Sequence, residues 1–385
     1  MSVSRLLLLL LVSVLLPVNA ALAAYVVDHH DDAALFVVPT AHVVNPAQPV
    51  HSLSEYETVY GRFAGVDHGA LAAELYFANG GQTLYVLDPG GLQPGDFQQA
   101  LDDSIGLPVS MVAFPGASCC ISDPVSLHAV MQVLVAHATA YPDRFAIIDA
   151  PRASNATELL AYRAGFSGKY AALYAPWLVV DDATASSGRR EVPPSAAVAG
   201  VIARVDREQG IFESPAGVDV TFSPWLNPAL ERNLAAAQDN LNLNSVNVLR
   251  EFTGVDDPVI WGARVLDADS APYISRYRYL RHLEHSIHAS LRPCFDGLEP
   301  NCPLTEAETK TEIDFYLFQQ WQQGVMAGAT PADSWFTQCT LGAADMRCLV
   351  GVALLRPAEF DLIDVAWRDH DVIFRTGFEV GETLD

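Results

Sequence analysis

Six cysteines, at positions 119, 120, 294, 302, 339 and 348, are the residues whose chemistry depends most on spacing. An even number suits an oxidising compartment, where thiols pair as disulfides. Cys294 and Cys302 bracket a turn-rich loop that closes easily, and Cys339 and Cys348 bracket a similar one, so these two bridges are the expected pairings. Adjacent Cys119 and Cys120 would need a strained ring to pair with each other. Separate partners, free thiols or contacts between subunits all stay open for them. No Cys-x₂-Cys pair is present, which argues against a structural zinc site.

Other polar residues invite chemistry and offer less. His282, His285 and His288 recur at three-residue steps, but they supply one side of a metal site at most and lack the His-Glu-x-x-His order. An exposed helix face is the better reading. The run His29-His30-Asp31-Asp32 reads as a flexible acidic terminus, because adjacent side chains in an unstructured end are not preorganised for a metal. Asp149 ends an apolar run, at the carboxyl end of an expected strand, where open α/β sheets place functional groups. Its simpler role is to cap the turn that follows. Ser195 has no general base beside it and reads as the N-cap of a helix. Asn155-Ala-Thr157 fits the glycosylation sequon. No glycine-rich phosphate loop occurs, no cofactor is indicated, and no Ser/His/Asp set stands in recognisable local motifs.

The elements that must position these residues alternate. Residues 35–38, 83–87, 109–114 and 145–149 read as strands; 69–77, 97–104 and 125–139 read as helices. Such alternation predicts βαβ units and a mainly parallel sheet covered by helices. Residues 170–180, an apolar and aromatic run without a helical stripe, read as one further buried strand. Residues 181–190 read as a solvated loop, and Val192-Pro193-Pro194-Ser195 as a rigid step into a helix over 196–209. Farther on, Tyr277, Leu280, Leu283, Ile287 and Leu291 mark an amphipathic helix, and Thr305-Glu-Ala-Glu308 is a capping box that starts another. Strands over 334–340, 349–355, 360–367 and 372–374 close the chain. The fold class is therefore α/β, a mainly parallel sheet domain followed by an α+β C-terminal domain. Divisions fall after residue 23, near 90 and near 238, giving segments 1–23, 24–90, 91–237 and 238–385.

Composition narrows the partners. Half of the 385 residues are hydrophobic, enough for substantial cores. With 22 basic against 46 acidic side chains, the formal charge of −24 repels nucleic acid and anionic lipid. Residues 1–5 carry one positive charge, 6–18 are almost wholly apolar, and Ala21-Leu22-Ala23 fits a small-x-small cleavage site. This is the pattern of a secretory signal peptide, cut after Ala23, with Ala20 as second choice. The expectation is an exported protein, periplasmic, extracellular or in a secretory lumen, with no membrane span in its mature form.

Landmarks along the chain carry a family resemblance. They include Asn45-Pro46-Ala-Gln-Pro49-Val50 and Tyr60-Gly61; Tyr76-Phe77-Ala-Asn79-Gly80-Gly81; Asp143-Arg144-Phe145-Ala-Ile-Ile-Asp149; and Tyr170-Ala-Ala-Leu-Tyr174-Ala-Pro176-Trp177-Leu178. Val192-Pro193-Pro194-Ser195 follows, then Asn247-Val-Leu-Arg250, Val259-Ile260-Trp261-Gly262-Ala263-Arg264 and Arg356-Pro357-Ala358-Glu359-Phe360. In this order they resemble the tail sheath proteins of contractile phage tails and contractile injection particles.

The resemblance implies a structural subunit, not an enzyme. Its central domain would be subtilisin-like in fold, and copies would self-associate in hexameric rings or tubes around an inner tube protein above a baseplate. Terminal arms would add strands to neighbouring sheets. Phe360, Leu362, Val365 and Trp367 fall on the strand that would meet the neighbouring subunit. The chain departs from the family in its export signal, which takes the place of the N-terminal arm, in Ala196 where a glycine usually follows Pro-Pro-Ser, and in its tail to Asp385. The alternative reading is an exported, monomeric binding module derived from a sheath subunit, with a secreted hydrolase less favoured.

Overall fold

The computed structural model describes residues 26–27, 32–141, 143–226, 228–267, 271–296, 305–342 and 345–368. Its centre is a seven-stranded sheet built from short apolar runs. These are β1 (Ala34–Val37), β2 (Leu84–Leu87), β3 (Met111–Ala113), β4 (Phe145–Asp149) and β5 (Ala171–Ala175). Three short strands β6 (Leu178–Asp181), β7 (Arg189–Val192) and β8 (Trp225–Leu226) form a separate antiparallel sheet before β9 (Val246–Arg250) and β10 (Val259–Trp261) complete the central one. The central order is β10-β9-β5-β4-β3-β1-β2, parallel except for β10 against β9. All residues of β1, β2, β3, β4 and β5 are buried, as continuous apolar strands must be when helices cover both faces.

The covering helices are α1 (Leu53–Tyr60), α2 (His68–Ala78), α3 (Pro94–Asp102), α4 (Ala117–Cys120), α5 (Pro124–Ala140), α6 (Ala156–Arg163), α7 (Ser195–Glu208), α8 (Pro228–Ala235) and α9 (Gln238–Leu243). Alternate residues of β1 face opposite cores: Ala34 and Phe36 join Tyr56, Tyr60, Tyr76 and Ile202, whereas Leu35 and Val37 join Phe97, Leu101, Val130 and Leu134. One face is thus covered by α1, α2 and α7, the other by α3, α5 and α6. Gly80, with φ of +105°, ends α2 in a conformation that favours glycine. In α7, a Cβ on Gly200 would lie 2.3 Å from the Tyr76 carbonyl oxygen, so glycine permits the close approach of α7 to α2.

The last third has its own core. Helices α10 (Ile274–Phe295), α11 (Glu306–Gln322) and α12 (Pro331–Ser334) precede an antiparallel sheet of β11 (Trp335–Leu341), β12 (Asp345–Val352) and β13 (Asp361–Arg368), in that order. The capping box at Thr305 starts α11 as its sequence predicts. Leu283, Ile287, Leu291, Ile313 and Leu317 meet Met346, Val350, Ile363, Val365 and Trp367 across this interface. Among the described residues, no helix is long and apolar enough to cross a membrane.

Four sequence expectations need correction. Residues 170–180 are not one strand: Pro176 lacks an N–H, the central ladder stops at Ala175, and the chain re-enters a different sheet as β6. The solvated loop shrinks to the tip of a hairpin, since Arg189 to Val192 pair with Asp181 to Leu178. The divisions near residues 90 and 238 do not part the sheet, because β1, β2, β9 and β10 all belong to it. The terminus is not merely a flexible acidic lead: Val26 is buried in the C-terminal core, and the Val27 N–H donates to Ser290 Oγ at 3.0 Å. The strand expected over 372–374, like His29 to Asp31, lies outside the described residues.

Candidate assembly site

The C-terminal sheet carries the strand that sequence singled out, and its pleat divides the four named residues. Val365 and Trp367 point inward, where Trp367 Nε1 donates to the His288 carbonyl at 3.1 Å. Phe360 packs edge-on against Phe336 at 5.1 Å, and Leu362 is half exposed at 49%. Phe336 and Leu362 stand opposite Gly351 from either side, so these apolar groups share the sheet's outer face. On the same face Arg347 Nε donates to Asp364 at 2.7 Å across the β12–β13 pair. Only one side of β13 is laddered, to β12; among the described residues its other edge pairs with nothing. A row of backbone N–H and C=O groups on such an edge is a template for an added strand. The contact β13 can offer a neighbour is therefore its backbone edge with Leu362 beside it, while Val365 and Trp367 hold the strand to its own core.

Two arginines on α10 fix this sheet and tie it to the central one. Arg276 forms a forked pair with Asp361 at the start of β13, at 2.5 and 3.1 Å. Arg278 forms another with Asp206 of α7, Nη1 to Oδ1 at 2.7 Å, with both side chains almost wholly buried. These pairs were not foreseen from sequence. A signal existed: Asp206 stands four residues after Ile202, in the apolar stripe of α7, and a carboxylate there needs a buried cation.

The histidines of α10 are not an exposed face. His282 is buried and stacks with Tyr279, and His288 lies parallel to the Trp367 ring. Burial, helped by Arg292 and His285, lowers the His288 pKa to about 4, so it is neutral at physiological pH. Among the described residues, no group of three or more His, Cys, Asp or Glu is arranged to hold a metal.

Cys339 and Cys348 are disulfide-bonded and stand directly opposite each other on β11 and β12. Cys294 is also disulfide-bonded; Cys302 lies outside the described residues. Cys119 and Cys120 are free thiols. Burial raises the pKa of both, which opposes the thiolate form that nucleophilic chemistry needs.

Asp149 and Ser195 meet, though not as sequence suggested. Ser195 is the first residue of α7 and not its cap; Pro194 occupies the cap position and has no side chain to offer. Asp149 reaches from β4 to do that work, accepting from the Ser195 N–H at 2.8 Å and from Ser195 Oγ at 2.7 Å. Both residues are fully buried. Burial raises the Asp149 pKa to about 7 against the lowering effect of the two donors. A serine nucleophile needs an accessible Oγ and a base to take its proton. This hydroxyl is sealed off and committed to a carboxylate, so the pair is a helix cap supplied from across the sheet. Asn155 caps α6, with Glu158 completing a capping box.

The fold and these contacts define a structural protein class: a rigid α/β body carrying a small sheet, one edge of which pairs with no described strand. Residues 90–265 match the family described as phage tail sheath protein central domain. The chain is similar to the helical sheath of the anti-feeding prophage in its contracted state, with a TM-score of 0.66 and 25% identity over 89% of this chain and 95% of that one. It is also similar in fold to the sheath complex of an extracellular contractile injection system, PVC, with a TM-score of 0.66 and 24% identity over 88% and 92%. The sheath tail protein from Listeria innocua shares the fold at 9% identity, with a TM-score of 0.60 over 87% and 94%. No curated protein matches the chain.

Proposed function

We propose that this protein is the repeating structural subunit of a helical sheath, self-associating through strand addition at its C-terminal sheet. The observation that carries the reading is the edge of β13 that pairs with no described strand, on a sheet fastened to the main body by Arg276, Arg278 and the α10 core. Its likeness over most of its length to the anti-feeding prophage helical sheath supports the same conclusion. Backbone pairing at β13 supplies affinity without a specialised side-chain pocket, and the packed bodies can then shift as rigid units while the added strands stay paired. Six-fold rings stacked around an inner tube on a baseplate are the arrangement this subunit would build. A structural role also accords with the buried Asp149–Ser195 pair, which serves as a helix cap.

The apolar run over 6–18 and the Ala21-Leu22-Ala23 site favour export before assembly, with the Cys339–Cys348 bridge suited to an oxidising compartment. Sedimentation velocity of the purified protein tests self-association. The expected result is particles far heavier than the 41.6 kDa chain, growing with concentration. A single species of chain mass at every concentration would contradict the reading.

A further inference from the structure

One recess lies apart from the C-terminal sheet. A cleft of about 880 Å³ opens outside the carboxyl ends of β3, β4 and β5. Its walls are the segment after β3, with Ser118 and Ser122, Arg152 after β4, Trp177 after β5, and the β6–β7 hairpin. Its size lies within the range of small-molecule sites, and the carboxyl end of a parallel sheet is where such sites form, because the strand-to-helix segments diverge there.

The lining holds polar atoms that the protein itself does not satisfy. Ser118 is 7% exposed, and its Oγ is buried with no hydrogen-bond partner. His68 Nδ1 is likewise buried and unpartnered. Both residues face the cleft. Burying a hydroxyl and an imidazole nitrogen without partners is unfavourable, so each is a group that a ligand in the cleft would satisfy.

The charge on the walls identifies the kind of ligand. Arg152, Arg189 and Arg190 face the cleft against the single carboxylate of Glu191, in a chain where acids outnumber bases 46 to 22. Arg190 is held by Asp182 at 2.5 Å and Arg189 by Asp181 at 3.5 Å, and neither aspartate faces the cleft. Arg152 is braced by Glu191 at 2.7 Å. A guanidinium carries five N–H groups, more than one carboxylate takes up, so Arg152 and Arg190 keep positioned donors for a bound oxyanion. Desolvation and Arg190 lower the His68 pKa, so its ring is neutral and can donate one N–H.

We propose that this cleft binds a small oxyanion, a phosphate or a carboxylate, with Ser118, His68 and the arginine wall as its donors. Titration calorimetry and thermal melting of the purified protein with inorganic phosphate, citrate and sorbitol test the proposal. Phosphate or citrate should release heat and raise the melting temperature, whichever is tighter naming the oxyanion, while neutral sorbitol should not. Arg152→Gln and Ser118→Ala should each weaken binding about tenfold, the worth of one hydrogen bond to a charged group. Ser118→Ala should melt at or above the wild-type temperature without ligand, since it removes a buried hydroxyl that bonds to nothing. Anion binding of equal strength in wild type and both variants, no binding at all, or an equal response to sorbitol would overturn the proposal.

Discussion

At the scale of single residues, Asp149 does the least expected work. It closes the first turn of α7 from a neighbouring strand, in place of a cap that Pro194 cannot provide. Asp149→Ala leaves the Ser195 N–H and hydroxyl buried without an acceptor and should cost about 2–4 kcal/mol in urea unfolding. Asp149→Asn keeps an acceptor for the N–H and should cost about 1 kcal/mol. The carboxyl also confers a pH dependence whose sign follows from its raised pKa. Below pH 4 the group is protonated in both folded and unfolded chains. Between about 4 and 7 the unfolded chain ionises while the folded one keeps its proton, so the advantage over Asp149→Asn is lost as pH rises through 7. Stability measured for both proteins from pH 4 to 8 should show the wild type losing ground up to about 7 and then levelling. A difference that stays flat, or rises, would contradict this assignment.

At the scale of elements, α10 joins the two cores, and its two ion pairs test that join. Arg278→Ala strands the Asp206 carboxylate in a buried site and should destabilise by about 3–5 kcal/mol, whereas the double change Arg278→Met with Asp206→Leu should recover most of the loss. Replacing Cys339 and Cys348 together by serine opens a short loop and should cost about 2–3 kcal/mol, read as a lower melting temperature that reductant no longer affects. Much of this architecture was legible in sequence because local signals agreed with the fold. The apolar run at 145–149, the Thr305 capping box and the stripe from Tyr277 to Leu291 each became the element they predict. What escaped was long-range. The break at Pro176 sends one apolar run into two sheets, and nothing within that run states which sheet each half joins. The pairing of Asp149 with Ser195, 46 residues on, and of Asp206 with Arg278, 72 residues on, depends on packing that no local pattern records. The histidines misled for the same reason, since the aromatic partners that bury them, such as Trp367, lie 79 residues away.

At the scale of the whole molecule, the first and last described segments meet in the C-terminal unit. Val26 packs in the same core as β13, three residues beyond the expected cleavage site at Ala23. Removal of the signal would therefore spare the residue that anchors the N-terminal segment, and N-terminal sequencing of the exported protein should begin at Ala24. The edge of β13 that pairs with no described strand lies on that unit, so strand addition would link one subunit's terminal region to the next while the seven-stranded body stays intact. A subunit built in this way should form a regular polymer and not a random aggregate. Electron microscopy of the purified, concentrated protein tests this most directly: the account predicts stacked rings or hollow helical tubes with one repeating subunit, and a field of separate monomers at high concentration would contradict it.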